Sequence, residues 1–445
     1  MENNSQERYL KNQFSATGDW QSSLSHITEN TISTGRTTLD QRIKTPNLDL
    51  RNNLRTLWSL DKYTLEAQSS LRYHPYPMSL RDFYTDNSFS FLKKSGSLTQ
   101  RYTVGINEEI SNIEKSLQTY LSPDYQWNTY KWTLSLSVPL RWTGYTGGGF
   151  SRISVNPSLS IIYKLNYAWR FTAHASYKER YGEMTDLYDR PYQTDYRNSV
   201  WNCGILPVYR QQLYSVYGEY KNTAREFFAT VNLTHNREWY NRIYEQRIEN
   251  GQVQRVSLPL SNHGSGYTVK STLSKGFYEL GLKTSFLVLL NISKAEQISG
   301  GQRLPYQYRL MRLEPKVIWT PNRHWETSYQ TDIRYGGNKI GERTRLAPLW
   351  NVTQQVQLSY IFSPIEASLS VDHYHNDVNE DQSVNAVFAD FSVSWKSGRW
   401  QITTTATNLF DKRTYAYTQY ASLESYTSWV RIRPREFLVA IRYQL

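Results

Sequence analysis

Lys131–Trp142 reads KWTLSLSVPLRW. Side chains alternate sides along a β-strand. Trp132, Leu134, Leu136, Val138, Leu140 and Trp142 therefore share one face, and Thr133, Ser135, Ser137 and Arg141 share the other. Ten steps of strand cover about 33 Å. Tilted by roughly 40°, such a strand rises about 25 Å, the height of an apolar band with an aromatic at each rim.

The same pattern recurs along the chain, usually as pairs joined by short polar turns. Val155, Pro157, Leu159, Ile161 and Tyr163 lead through KLNYA into Trp169, Phe171, Ala173, Ala175 and Tyr177. Leu273 leads through SKGF into Tyr278, Leu280, Leu282, Phe286, Val288 and Leu290. Val356, Leu358, Tyr360 and Phe362 lead through SP into Ile365, Ala367, Leu369 and Val371. Phe391, Val393 and Trp395 lead through KSG into Trp400 and Ile402. Longer polar connections alternate with these turns, at 178–211, 236–264, 293–307, 336–349, 376–385 and 411–434.

Composition narrows the class. The 445 residues include 36 Tyr, 15 Phe and 14 Trp, too many aromatics for a disordered chain. The net charge of +12 is scattered rather than clustered, which points away from nucleic acid as a partner. One cysteine, Cys203, excludes an internal disulfide. The opening MENNSQERYL has neither the basic start nor the apolar run of a secretory leader. The longest apolar run is the five residues Phe286–Leu290, against the roughly 20 needed for a spanning helix. Soluble propellers and sandwiches use shorter strands and bury their apolar face. Long strands with Ser, Thr, Gln, Tyr and Arg on the second face predict an all-β fold, an antiparallel transmembrane β-barrel. About twenty or twenty-one strands are legible of an expected 22. The whole of 1–445 reads as one barrel domain whose pattern starts abruptly at its N-terminus.

Two segments carry a resemblance. Asn408-Leu409-Phe410-Asp411 and the closing VRIRPREFLVAIRYQL, with Pro434-Arg435, resemble the last two strands of TonB-dependent outer-membrane receptors, notably the Bacteroidetes-type outer-membrane β-barrel proteins. The resemblance implies energised import of a bulky nutrient across the outer membrane. It also implies a signal peptide, a TonB-contacting segment and an N-terminal plug, none of which is visible. TonB would be a partner only with that plug supplied. The family's usual last residue, Phe, is Leu445 here. Phe437, Val439, Ile441, Tyr443 and Leu445 lie on one face of the final strand. Within the resemblance they form the signal read by the barrel assembly machinery, on a strand that closes the barrel against the first. Outer-membrane lipid is the surrounding medium, and a surface lipoprotein is a further partner by family analogy. A plug-less passive pore is the competing reading.

Chemistry-bearing residues are few. His373 and His375 share a strand side beside Asp372 and Asp377, but two histidines with loop carboxylates do not close a metal shell. His235 and Asn236 have no serine that sequence can place beside them, and no nucleophile, phosphate-loop or dinucleotide motif occurs. No catalytic, cofactor or metal site is expected. Tyr181, Tyr188, Tyr192, Tyr196 and Trp201 in the 178–211 loop are the candidate ligand contacts, through ring stacking and hydroxyl hydrogen bonds. The loop 411–434 carries a similar set, Tyr415, Tyr417, Tyr420, Tyr426 and Trp429.

Overall fold

A computed structural model describes the chain except residues 1–7, 29–37, 61, 74–82, 111–114, 146–149, 183–185, 187–188, 190, 194–197, 250–251, 342–343, 346–347, 379–380, 422–423 and 445. Most of the described residues form one long antiparallel meander. Its first half runs β1 (Arg8–Thr28), β2 (Thr38–Leu60), β3 (Tyr63–Tyr73), β4 (Phe83–Ser95), β5 (Leu98–Ile110), β6 (Lys115–Asn128), β7 (Trp132–Ser137), β8 (Leu140–Tyr145), β9 (Ser151–Val155), β10 (Ser158–Lys164) and β11 (Trp169–Tyr181). Two short strands follow, β12 (Tyr192–Gln193) and β13 (Asn198–Trp201). The wall resumes with β14 (Val208–Asn222) and β15 (Phe227–Tyr240), then the hairpin β16 (Ile243–Glu249) and β17 (Gln252–Leu258). Next come β18 (Asn262–Phe277), β19 (Leu282–Ser299), β20 (Gln302–Asn322), β21 (Trp325–Ile340), β22 (Thr344–Arg345), β23 (Leu349–Phe362), β24 (Ile365–Asp377), β25 (Ser383–Ser397) and β26 (Trp400–Thr407). A separate hairpin, β27 (Thr414–Ala421) and β28 (Glu424–Arg431), precedes the last strand β29 (Glu436–Tyr443).

KWTLSLSVPLRW is divided between β7 and β8 because Pro139 has no N–H to give to the ladder. The register nevertheless runs straight through. Ser137 faces Asp124 and Leu140 faces Leu121 on β6, while Ser137 faces Ser158 and Leu140 faces Val155 on the other side. The proline carbonyls carry the hydrogen bonds across: Val138 N donates to Pro123 O, Asn156 N to Pro139 O and Tyr177 N to Pro157 O. Prolines in a sheet interior are rare; here three neighbouring strands each carry one at the same level, and two of the three are split there. Counting β7 with β8 and β9 with β10 gives twenty wall strands among the described residues.

The two faces differ as alternation predicts. Trp132, Leu134, Leu136 and Leu140 are exposed, as are Val216, Leu233, Tyr267, Leu290 and Trp319, which extend the same face from strand to strand through the register. Behind them, Arg312 makes two hydrogen bonds of 3.0 Å to Asp332, which also accepts from Arg334, and Arg312 pairs with Glu314. An ion network on one face and exposed Leu, Val and Trp on the other invert the arrangement of a water-soluble sheet.

Short turns define one end. Asn166 Oδ1 accepts from the N–H groups of Ala168 and Trp169, Asn222 Oδ1 from Arg225, and Asn322 Oδ1 from His324 and Trp325. These side chains satisfy the turn amides. Tryptophans gather immediately beside them: Trp127, Trp132, Trp169, Trp319, Trp325, Trp395 and Trp400 are all exposed at this rim. Trp132 packs on Tyr163, Trp325 on Tyr360 and Trp400 on Tyr443 at ring separations of 4.3, 4.6 and 4.8 Å. This is an aromatic girdle.

Several boundaries differ from the sequence reading. Residues 293–307 are not a loop but the ends of β19 and β20, joined at Gly300 and Gly301 in the left-handed region. Polar side chains on both faces hid the alternation there. The turn expected at 274–277 lies at Tyr278–Leu280, because Gly281 at φ 59° supplies the left-handed residue that ends it. β29 pairs with β26 alone, and no described pairing joins it to β1. Phe437, Val439, Ile441 and Tyr443 do share the apolar face, opposite Ala406, Thr404, Ile402 and Trp400; Leu445 is outside the described residues.

Candidate functional site

At the end opposite the turns, two loops build a second layer. β13 pairs in parallel with β17, with Asn198 opposite Val253, and β16 pairs in parallel with the end of β19. With the β12–β13 and β16–β17 pairings, this makes a small sheet anchored to the wall. Alternation sorts its residues. Ile243 and Val256 are fully or almost fully buried, with Ile298 beside them on the wall strand. Tyr244, Gln246 and Arg255 fall on the other face.

That second face meets the polar face of the wall across a cleft of about 750 Å³. Asn236, Glu238, Tyr240, Asn262 and Tyr306 line it from the wall, and Ser199, Val200, Tyr244, Gln246 and Arg255 from the added layer. Glu238 is a saturated acceptor: Tyr209 and Tyr240 hydroxyls each donate at 3.0 Å, with Gln211 at 3.1 Å and Asn236 at 3.0 Å. Burial first, and the Glu238 charge second, push the Tyr209 hydroxyl up to about 12 and the Tyr240 hydroxyl above its ordinary value. Both phenols are neutral donors at any physiological pH. Arg255 lies 3.6 Å over the Tyr244 ring and Arg242 lies 4.9 Å from it. Arg242 also pairs with Asp186 at 3.0 Å, whereas Arg255 pairs with no carboxylate among the described residues. Asn262 Nδ2 donates to Glu296 O, and its buried Oδ1 has no partner among the described residues. The cleft thus offers a guanidinium, that of Arg255, backed by an aromatic ring.

The predicted ligand contacts are only partly brought together. Trp201 Nε1 donates to Asp189 at 3.2 Å, and Tyr192 sits opposite Val200 in the β12–β13 pair. Tyr181 belongs to a different cluster, where its hydroxyl donates to Glu179 at 2.8 Å and its ring meets Phe150. Tyr188 and Tyr196 lie outside the described residues. In the Tyr181 cluster, Arg152 and Arg210 each reach Glu179 at 2.9 Å. Burial would raise the Glu179 carboxyl, but the Tyr181 and Arg210 hydrogen bonds and the two guanidinium charges outweigh it and hold the carboxyl below its usual value. Sequence reasoning missed Arg255, Tyr244 and Glu238. Tyr244 and Arg255 meet across the β16–β17 hairpin, and the parallel pairing of β16 with the end of β19 sets that hairpin over the wall face that carries Glu238.

The second long loop is held by Asn408, in the left-handed region at φ 50°. Its Nδ2 donates to Lys412 O and Arg433 O, both at 2.9 Å, and its Oδ1 accepts from Lys412 N at 3.0 Å. Asp411 accepts from Arg435 N at 3.0 Å and pairs with Arg413. Asn408 and Asp411 therefore clasp both ends of the β27–β28 loop. The hairpin lies against the polar face, where Asn376 Nδ2 donates to Ala416 O and Tyr374 packs on Tyr415. His373 and His375 face the apolar side and bond Gln354 and Asn385. His235 is stacked 4.2 Å from Tyr267 on that same side.

This is a wall of the outer-membrane β-barrel type. No family model and no curated protein matches the chain. Among solved structures, it is similar to the copper transporter OprC, at 9% identity over 98% of this chain and 82% of that one, with a TM-score of 0.48. It is also similar to the ferric yersiniabactin uptake receptor FyuA from Yersinia pestis, at 8% identity over 99% and 80% of the two chains, with a TM-score of 0.42. A third is the siderophore receptor PirA from Pseudomonas aeruginosa, at 10% identity over 89% and 76%, with a TM-score of 0.34.

Proposed function

We propose that the chain is a transport barrel of the bacterial outer membrane, the barrel portion of a TonB-dependent receptor. The observation that carries this reading is the inverted sheet. An exposed Leu/Val/Trp band ends in a tryptophan girdle, and an Arg–Asp–Glu network lies directly behind it. The short turns then face the periplasm and the long loops face outward. The barrel assembly machinery would read the β29 face, TonB would act through a plug, and a surface lipoprotein would sit on the loop end.

The layered loops favour a receptor over an open pore. Both the β16–β17 layer and the β27–β28 hairpin lie on the polar face, where a passive channel needs free water. The cleft suits a polar solute with an anionic group, which the Arg255 guanidinium stacked on Tyr244 would hold. Trp201 and Tyr192 would make outer contacts before that cleft, while Tyr181 stays in its separate Glu179 cluster. The full chain refolded into planar bilayers should insert, with conductance that rises when Asn408→Ala loosens the hairpin. A β-rich protein that stays in solution would refute the membrane reading. An in-frame plug-coding segment upstream in the gene would separate receptor from pore.

A further inference from the structure

One row of side chains crosses five strands at the loop-side border of the apolar face. Arg237 on β15 lies opposite Ser265, Ser265 opposite Lys294, Lys294 opposite Gln307, and Gln307 opposite Lys339 on β21. Strands are about 4.8 Å apart, so the three cations recur at roughly 10 Å intervals. Among the described residues, none of the three pairs with a carboxylate. They line a concave groove of about 980 Å³ that reaches the loop-side rim, where Arg152 and Arg210, both paired with Glu179, and Glu296, paired with Arg303, also border it.

One same-face step toward the turns, the row becomes His235, Tyr267 and Ile292, and the next is Leu233, Val269 and Leu290. Tyr214, His235 and Tyr267 stack in sequence at 6.4 and 4.2 Å. Beside this stack the small residues Ala173 and Ala175 leave a second depression of about 520 Å³, lined by Leu159, Ile161, Val216 and Leu233. A cationic groove therefore opens directly above an apolar one on a face that carries Leu, Val and Trp to the outside.

We propose that this surface binds a phosphorylated, anionic lipid of the outer leaflet. Phosphate groups would lie on Arg237, Lys294 and Lys339, and an acyl chain would lie in the alanine-floored depression. The proposal rests on the membrane-barrel reading above. Charge complementarity selects the occupant: three unpaired cations at the border of an apolar band match an anionic headgroup joined to hydrocarbon. A soluble protein partner would have to cover the apolar depression as well.

The test is native mass spectrometry of the full chain refolded in neutral detergent, titrated with a purified diphosphorylated glucosamine-disaccharide lipid. The same lipid without phosphates and a zwitterionic phosphatidylcholine serve as comparisons. The wild type should hold one diphosphorylated lipid and neither comparison lipid. The triple variant Arg237→Gln, Lys294→Gln, Lys339→Gln should bind roughly 100-fold more weakly, about fivefold per cation. Ala173→Leu with Ala175→Leu should also weaken binding while leaving the charges in place. Equal binding of all three lipids, or a triple variant that binds like the wild type, would overturn the proposal. So would displacement by millimolar inorganic phosphate with no effect of the leucine variant, which marks a free-phosphate site. Insertion into lipid vesicles is measured in parallel. Insertion without lipid retention sinks this proposal alone, and failure to insert sinks the barrel reading with it.

Discussion

Asn408→Ala is the most informative single substitution. The side chain makes three hydrogen bonds to the backbone at residues 412 and 433, and it is only 7% exposed. Each such bond contributes about 1 kcal/mol net, and the orphaned carbonyls and amide gain little from water in a buried site. Asn408 also sits at φ 50°, where alanine is disfavoured by about 1 kcal/mol more than asparagine. The expected cost is about 3–4 kcal/mol. It falls on the loop rather than the wall, because the bonds join the two ends of 408–435 and not neighbouring wall strands. Native-state hydrogen exchange of the refolded protein reads this directly. The Lys412 and Arg435 amides, held by Asn408 Oδ1 and Asp411 Oδ1, should lose roughly two to three orders of magnitude of protection. The β23–β25 ladder should be unchanged. Asn408→Gly, which removes the side chain without the backbone strain, should cost about 1 kcal/mol less than alanine. Unchanged protection at Lys412 and Arg435 in the alanine variant would refute the clasp.

Glu179 gives a pH prediction. Its carboxyl is held below the ordinary value of about 4.3, so its contribution is present at neutral pH and is lost as pH falls through the lowered value. Glu179→Gln should lower the thermal midpoint at pH 7 by the equivalent of about 1–2 kcal/mol and flatten its decline toward pH 3; parallel declines would contradict this. Gly281→Ala should destabilise by about 2 kcal/mol or more, because its Cβ would stand 2.0 Å from Thr320 O at φ 59°. Gly300→Ala has only its φ of 57° against it, with nothing within 4 Å, and should cost about 1 kcal/mol; urea midpoints that rank the two the other way would count against the turn geometry. Arg255→Gln should cost only the contact with Tyr244, about 0.5–1 kcal/mol, since the guanidinium pairs with no carboxylate among the described residues, while abolishing retention of anionic solutes measured by vesicle swelling.

The wall was legible because one physical constraint repeats. Trp132, Leu134 and Leu136 alternate with Thr133, Ser135 and Ser137 whatever their neighbours do, and Asn-rich turns punctuate the pattern. Legibility failed where that constraint ends. The upper parts of β19 and β20 carry polar residues on both faces, so 293–307 resembled a loop. The cleft could not be read because Arg255 and Glu238 belong to a loop strand and a wall strand that never pair. They line one cleft because β16 pairs in parallel with the end of β19, and neither stretch announces its partner. Asn408 was visible as part of a short motif, but its work as a clasp needed the position of Arg433, 25 residues away.

The central claim is that the Leu/Trp face of the wall meets lipid and the Ser/Thr face meets water. Single cysteines placed at 133, 134, 135, 136 and 137 in a Cys203→Ser background, spin-labelled in lipid vesicles, test it residue by residue. The account predicts a period of two: labels at 134 and 136 accessible to oxygen dissolved in the bilayer, and labels at 133, 135 and 137 accessible to a water-soluble nickel complex. Uniform accessibility to the nickel complex, or the opposite phase, would contradict it.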